Sequence, residues 1–476
     1  MEKWVLDPGK PHQRFFEEMT RIPHGSYHEE AYGDYLENFA KEHGFPYQRD
    51  VIGNVIIRKP AAPGYEDHEP LALQAHMDMV WAKEEGSSHD FFHDPLDLYI
   101  EDGFLHARGT TLGADDGTGV AYMLAVLDNP NQKAPALEAI FTVQEETGMG
   151  GALALKPEDI RSRRYISLDC GGGDSIYISS LAGMRANLLR SFGREAYHGP
   201  GYELKVSGLT GGYSDGYQKE QGNANVLAAR LAYLLSLEAD VRLSSWNGGE
   251  AENQIARESS IIFRSASEKQ ALTEAFERLA SKVRKEWAES ERNLSLTLCE
   301  TTVDTVLREE DSRAVLSTAF LLPCGFRHKS ILFPEIMSES VNWSVIRLEQ
   351  ESVVFVVNLR GSSDSRIERM EQEMRLLTAP YGFQFEVENS FPAWEFHDSE
   401  LLRTLQRVFK EETGKELGLI PVQGGLECGV FARMHPEMDM IAMGPYGYDI
   451  HTPKEHLDLK NFDELFVIFC RLLENL

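Results

Sequence analysis

Three short apolar runs, residues 71–75, 137–143 and 164–168, each lead into a histidine, glutamate or aspartate. Runs of that length, bounded by glycine and polar residues, read as buried strands. Helical patterns alternate with them, at residues 12–21, 29–43 and 120–127. Alternating strands and helices are the signature of a layered α/β domain. In an open α/β sheet, ligands bind beyond the carboxyl ends of the strands. The residues at the ends of these runs are therefore the first candidates for function.

The first run enters His76-Met77-Asp78. Residues two apart on a strand face the same side, so His76 and Asp78 can act together. In that pairing His76 binds a metal and Asp78 holds its other ring nitrogen. The second run ends near Glu145-Glu146, where one carboxylate can hold a metal while its neighbour faces a bound water. The third ends at Asp169, followed by Cys170 and three glycines. Asp115-Asp116 sits at the entry to a helix, and His451 follows the apolar run 440–443. Singly, each has an ordinary explanation: a helix cap, a solvated turn, a loop histidine. Jointly, His76, Asp115, Glu146, Asp169 and His451 offer the nitrogen and oxygen donors that zinc and similar ions take. Glu145 is the spare carboxylate that hydrolysis at a metal needs as general base.

These residues carry a resemblance. The runs His76-Met77-Asp78-Met79-Val80, Gly113-Ala114-Asp115-Asp116-Gly117, Glu145-Glu146-Thr147-Gly148, Leu168-Asp169, Gly425-Leu426-Glu427-Cys428-Gly429 and His451-Thr452-Pro453 are similar to those of the co-catalytic dinuclear zinc metallopeptidases. That family includes aminoacylase, glutamate carboxypeptidase and several dipeptidases, and the chain most resembles its aminoacyl-histidine (Xaa-His, including beta-alanyl-histidine) dipeptidase branch. The resemblance implies two divalent metal ions, zinc or else manganese or cobalt. Asp115 would bridge them, with His76 and Asp169 on one and Glu146 and His451 on the other. Asp78 would orient His76, and Glu145 would activate a water bridging the metals. It further implies a cis peptide bond between Asp115 and Asp116. The expected function is hydrolysis of small dipeptides by a cytoplasmic homodimer.

Composition agrees. A chain of 476 residues exceeds the size at which one core stops growing, so two domains are expected. A net charge of −29 argues against nucleic acid and anionic membranes as partners. Five scattered cysteines show no disulfide framework, which suits a reducing cytosol. Neither a signal core nor an apolar run of bilayer length is visible.

From Met184 the texture changes to strands and long amphipathic helices, and a similar order occurs twice. The expectation is an inserted α+β lid of two ferredoxin-like units at residues 185–388, with catalytic segments at 1–184 and 389–476. By resemblance, Asn253 and Arg360 in the lid hold the substrate backbone and its C-terminal carboxylate; Glu427, outside the lid, contacts the substrate amine. An arginine fork suits a carboxylate because it gives two parallel hydrogen bonds. Two departures bear on substrate choice. Relatives carry Gly-Gly-His-Ser-Gly where this chain has Gly211-Gly212-Tyr213-Ser214-Asp215-Gly216, and close relatives carry histidine where it has Gln423. A phenol can still donate to an oxyanion but does not become a cation near neutral pH. Two other readings follow: a metal-dependent amidohydrolase acting on N-acyl or non-peptide amides, and a catalytically weak metal-binding homologue.

Overall fold

The strands around the predicted ligands form an eight-stranded sheet in the order Tyr47–Arg49, Val55–Lys59, Leu137–Thr142, Leu71–His76, Arg164–Ser167, Asp439–Ala442, Ser175–Ser180, Gly418–Val422. The molecule is described by a computed structural model covering residues 4–213, 217, 219–334 and 336–476. Four neighbouring strands, 137–142, 71–76, 164–167 and 439–442, run parallel. Every residue of Leu71–His76 and Leu137–Thr142 is buried, as expected for strands covered on both faces. The helix Ala114–Asp128 packs against Leu71–His76 and is buried over most of its length. A further sheet of four strands, Gly447–Tyr448, His456–Asp458, Phe104–Ala107 and Leu98–Glu101, belongs to the same unit. The short apolar runs had pointed to the central strands; these four small ones had no such signal.

The chain divides into two units. One comprises residues up to Ser180, Trp394–Val422 and Leu426–Leu476; the other comprises Leu181–Ala393 and Gln423–Gly425. The second unit holds one nine-stranded sheet, whose main path runs Ser295–Leu307, Arg194–Ser207, Ser259–Arg264, Arg242–Gly248, Met337–Leu348, Ser352–Gly361, Ala182–Ser191, Gln384–Phe391. The first four of these strands, with helices Ala224–Ser236 and Lys269–Glu286, make one βαββαβ unit of ferredoxin-like order. The last four, with Glu309–Leu321 and Asp364–Thr378, make another. The first repeat is inserted between the opening strand of the second, Ala182–Ser191, and its first helix. The two share a sheet because Arg242–Gly248 pairs with Met337–Leu348.

Two boundaries differ from the sequence reading. Asn389 still lies in the second unit, because Gln384–Phe391 pairs with Ala182–Ser191. The second unit also begins earlier, at Leu181 rather than residue 185.

Candidate metal centre

The four parallel strands deliver their loops to one end of the sheet. His76 is the last residue of its strand, and Asp78, Glu145, Glu146, Asp169 and His451 all follow strand ends. Asp115 enters differently. Gly113 adopts φ +70° and Asp115 is extended (φ −90°, ψ 106°), so the helical run effectively begins beyond Asp116. The Asp115–Asp116 peptide is cis.

Ligand atoms of His76, Asp115 and Glu146 lie within 4.8 Å of one another. His76 Nε2 is 3.1 Å from Asp115 Oδ1, whereas His451 Nε2 is 3.4 Å from Asp115 Oδ2 and 3.0 Å from Glu146 Oε1. The two oxygens of Asp115 thus face two different imidazoles. Donors bound tetrahedrally to zinc sit about 3.3 Å apart, given bonds of about 2.0–2.1 Å, so these separations fit a shared cation. Glu146 Oε1 is buried and has no hydrogen-bond donor of acceptable geometry.

The electrostatics agree. Burial pushes the Asp169 carboxyl up to about 7, reinforced by Asp115. Burial likewise holds Glu145 well above its usual value. The facing Asp115 and Glu146 carboxylates push His451 up to about 10. His76 is raised although burial opposes it, because Asp115, Asp78 and Asp169 surround it. Such a surplus of negative charge in a buried place suits a divalent cation.

Asp78 has a wider role than orienting one ring. His76 Nδ1 is 2.9 Å from the Asp78 backbone carbonyl and 3.6 Å from its carboxylate. That carboxylate accepts from the Glu145 amide (3.0 Å), the Glu146 amide (3.2 Å) and Ser26 Oγ (2.7 Å). The two preceding amides are held as well. Val143 N–H donates to Asn54 Oδ1 (3.1 Å), and Gln144 N–H, at φ +56°, donates to Glu29 Oε1 (3.0 Å). Four successive amides leading into the two glutamates therefore each meet a side-chain oxygen. Ser26, Glu29 and Asn54 had no sequence signal, since Glu29 and Asn54 accept from backbone remote in the chain and Ser26 donates to the distant Asp78 carboxylate.

Glu427 is placed beneath the sheet's end. Its Oε2 accepts from Gln74 Nε2 (2.6 Å) and Thr142 Oγ1 (2.7 Å), while Oε1 is buried without a partner. Burial pushes this carboxyl up to about 8. The residue expected to meet a substrate amine is thus part of a buried polar network, completed by Tyr165 and Ser167 on Gln74 Oε1.

In the second unit, Tyr213 pairs with Gln254, which places it beside Asn253, and both Tyr213 and Asn253 are exposed. The rest of that motif, Ser214-Asp215-Gly216, lies outside the described residues. Asn342 Nδ2 donates to Gln254 O (2.9 Å), and Asn358 Nδ2 donates to Glu252 O. Asn358 and Arg360 share a strand face, so Tyr213, Asn253 and Arg360 belong to one region of this unit. The Arg360 guanidinium lies over the Phe391 ring (4.8 Å), above Gly183, where a Cβ would come within 2.5 Å of Nη1. That Nη1 is buried without an acceptor. Gln423 Oε1 is also buried without a partner.

Residues 72–475 match the model of peptidase family M20/M25/M40. The chain belongs to this family. It is 33% identical over 470 residues to the cytosol non-specific dipeptidase of Escherichia coli K12, covering 97% of this chain and 96% of that protein. The crystal structure of aminoacylhistidine dipeptidase from Vibrio alginolyticus superposes with a TM-score of 0.90 at 31% identity, over 99% of this chain and 97% of that one. Aminopeptidase PepT from Bacillus cereus shares the fold, with a TM-score of 0.58 at 15% identity over 99% of both chains. The chain is accordingly a peptide-bond hydrolase of the metal-dependent M20 type, with the mixed α/β architecture expected from its sequence.

Proposed function

We propose that this chain is a dipeptidase that uses two divalent cations, zinc or else manganese or cobalt, and releases amino acids from small dipeptides of the Xaa-His type. The observation that carries this reading is Asp115, with one carboxylate oxygen facing His76 and the other facing His451. His76 and Asp169 would hold one cation, and Glu146 and His451 the other. Cations bound there supply Lewis acidity and an acidified water. Glu145 takes the proton from the attacking water and returns it to the leaving amine. Its burial raises its proton affinity, in the sense that suits a group taking and returning a proton. Asp78, Glu29 and Asn54 hold the Glu145-Glu146 turn in place.

Arg360 in the second unit has a buried guanidinium nitrogen, Nη1, without an acceptor, which a substrate carboxylate would satisfy. Tyr213 offers a phenol where relatives have histidine. The names of two relatives, a non-specific dipeptidase and an aminoacylhistidine dipeptidase, support dipeptides as the substrate class. A cytoplasmic homodimer is part of the same reading. For the compartment, it is supported by the name of the Escherichia coli relative, a cytosol dipeptidase.

The test is hydrolysis of a panel of dipeptides and N-acyl amino acids. Cleavage of dipeptides, strongest for Xaa-His, is expected. Cleavage of N-acyl compounds alone would move the function to an amidohydrolase.

A further inference from the structure

Glu455 lies four residues beyond His451, is 3% exposed, and sends its carboxylate into the loop that precedes Asp115. Leu112 N–H (2.8 Å) and Gly113 N–H (3.1 Å) donate to Oε2, and Ala114 N–H (2.8 Å) donates to Oε1. Three consecutive amides converge because Gly113 takes a left-handed conformation at the start of the helix. Buried amides at a helix start need acceptors, and a carboxylate is favoured there. On its own side, the Glu455 amide donates to Thr452 O (3.0 Å), and the Thr452 amide and hydroxyl donate to Asp449 O (3.2 and 2.7 Å). His451 stands between those two residues at φ +64°. Glu455 is thus a strut between two loops, one carrying Asp115 and the other His451.

We infer that Glu455 is a positioning residue for the metal centre, setting the separation of Asp115 and His451 that a bound cation requires. The inference rests on the metal-centre reading above. Glutamine at this position cannot serve all three amides, because its NH2 group would face an N–H whichever way it turned. Supporting residues of this kind typically change metal affinity about 10- to 100-fold when replaced.

The test is titration of metal-stripped full-length protein with Co2+, read by its visible absorption, beside thermal melting. Glu455→Gln is expected to weaken Co2+ binding by about 10-fold or more and to alter the absorption spectrum. Glu138→Gln is the control. Glu138 is also buried, accepting from the Arg161 and Ser162 amides and Ser162 Oγ, but it stands at the opposite end of its strand from Thr142, away from the centre. It should lower the melting temperature and leave Co2+ affinity unchanged. Should Glu455→Gln not fold, Glu455→Asp, which keeps the charge on a shorter arm, is expected to weaken Co2+ binding in the same way. Parent-like Co2+ affinity and spectrum in the folded Glu455 variant would overturn the inference, as would an equal loss in Glu138→Gln. A parent that binds no Co2+ would overturn the metal-centre reading and this inference with it. A parent that binds Co2+ but cleaves no dipeptide would overturn only the substrate proposal.

Discussion

Replacing Asp78 by asparagine isolates the support of the Glu145-Glu146 turn from the chemistry of Glu145. The Asp78 carboxylate accepts the Glu145 amide on Oδ1 and the Glu146 amide on Oδ2. Asparagine is nearly isosteric but has one acceptor, so one of these amides must face its NH2 group. Leaving a buried donor unsatisfied costs about 1–3 kcal/mol. If the turn escapes that cost by moving, the fraction of molecules with Glu145 in position falls by about 5- to 150-fold, since about 1.4 kcal/mol is tenfold. His76 is affected less, because its Nδ1 is closer to the Asp78 backbone carbonyl than to the carboxylate. The expected result is a fall in kcat within that range, with KM changing less, measured on one dipeptide at saturating metal. An unchanged kcat would show that the turn holds itself without Asp78. A loss beyond that range, and as large as that of a Glu145 variant, would show that Asp78 shares the proton transfer.

Other consequences follow. Glu145→Ala should reduce turnover by at least about 100-fold, the typical contribution of a general base, while calorimetry shows metal binding close to the parent's; parent-like turnover would remove Glu145 from its role. Arg360→Lys replaces a flat two-pronged donor by a point charge. It should raise KM for free dipeptides by about tenfold, the loss of about 1.4 kcal/mol, and have little effect on C-terminally amidated ones; an equal effect on both would rule out carboxylate binding. His12 is buried against Phe466, Phe462 and Tyr122, and burial lowers its pKa below 6.5 although Asp463 partly opposes this. Its folded pKa is depressed, so its share of stability is present above about pH 6.5 and lost as pH falls toward the folded value, by at most about 1.4 kcal/mol per unit. The slope of melting temperature against pH between 7 and 5 should therefore be shallower in His12→Asn than in the parent, and equal slopes would contradict this.

Much of the centre could be read from the chain because a buried parallel strand announces itself as an apolar run, and ligands follow where such runs stop. His76, Glu146, Asp169 and His451 were singled out as candidate ligands that way. Asp115 stands at a helix start, where an aspartate is ordinary, and only the company of the others singled it out. The supporting residues left no such trace. Glu455 accepts from amides more than 340 residues earlier, and Glu29 and Asn54 act on backbone roughly a hundred residues away. A lone acidic or amide side chain in a loop has no period to detect. In the second unit, the amphipathic helices and the inner strands were legible. The strand Ser295–Leu307 was missed because many of its residues are exposed at a sheet edge, where threonines and acidic residues blur the alternation.

The most direct test of the account is the activity of metal-stripped protein on Xaa-His dipeptides before and after stoichiometric addition of zinc, manganese or cobalt. The account predicts no cleavage without metal and recovery that reaches its full extent at two equivalents per chain. Cleavage that persists in the stripped protein, or no cleavage with two equivalents demonstrably bound, would contradict it.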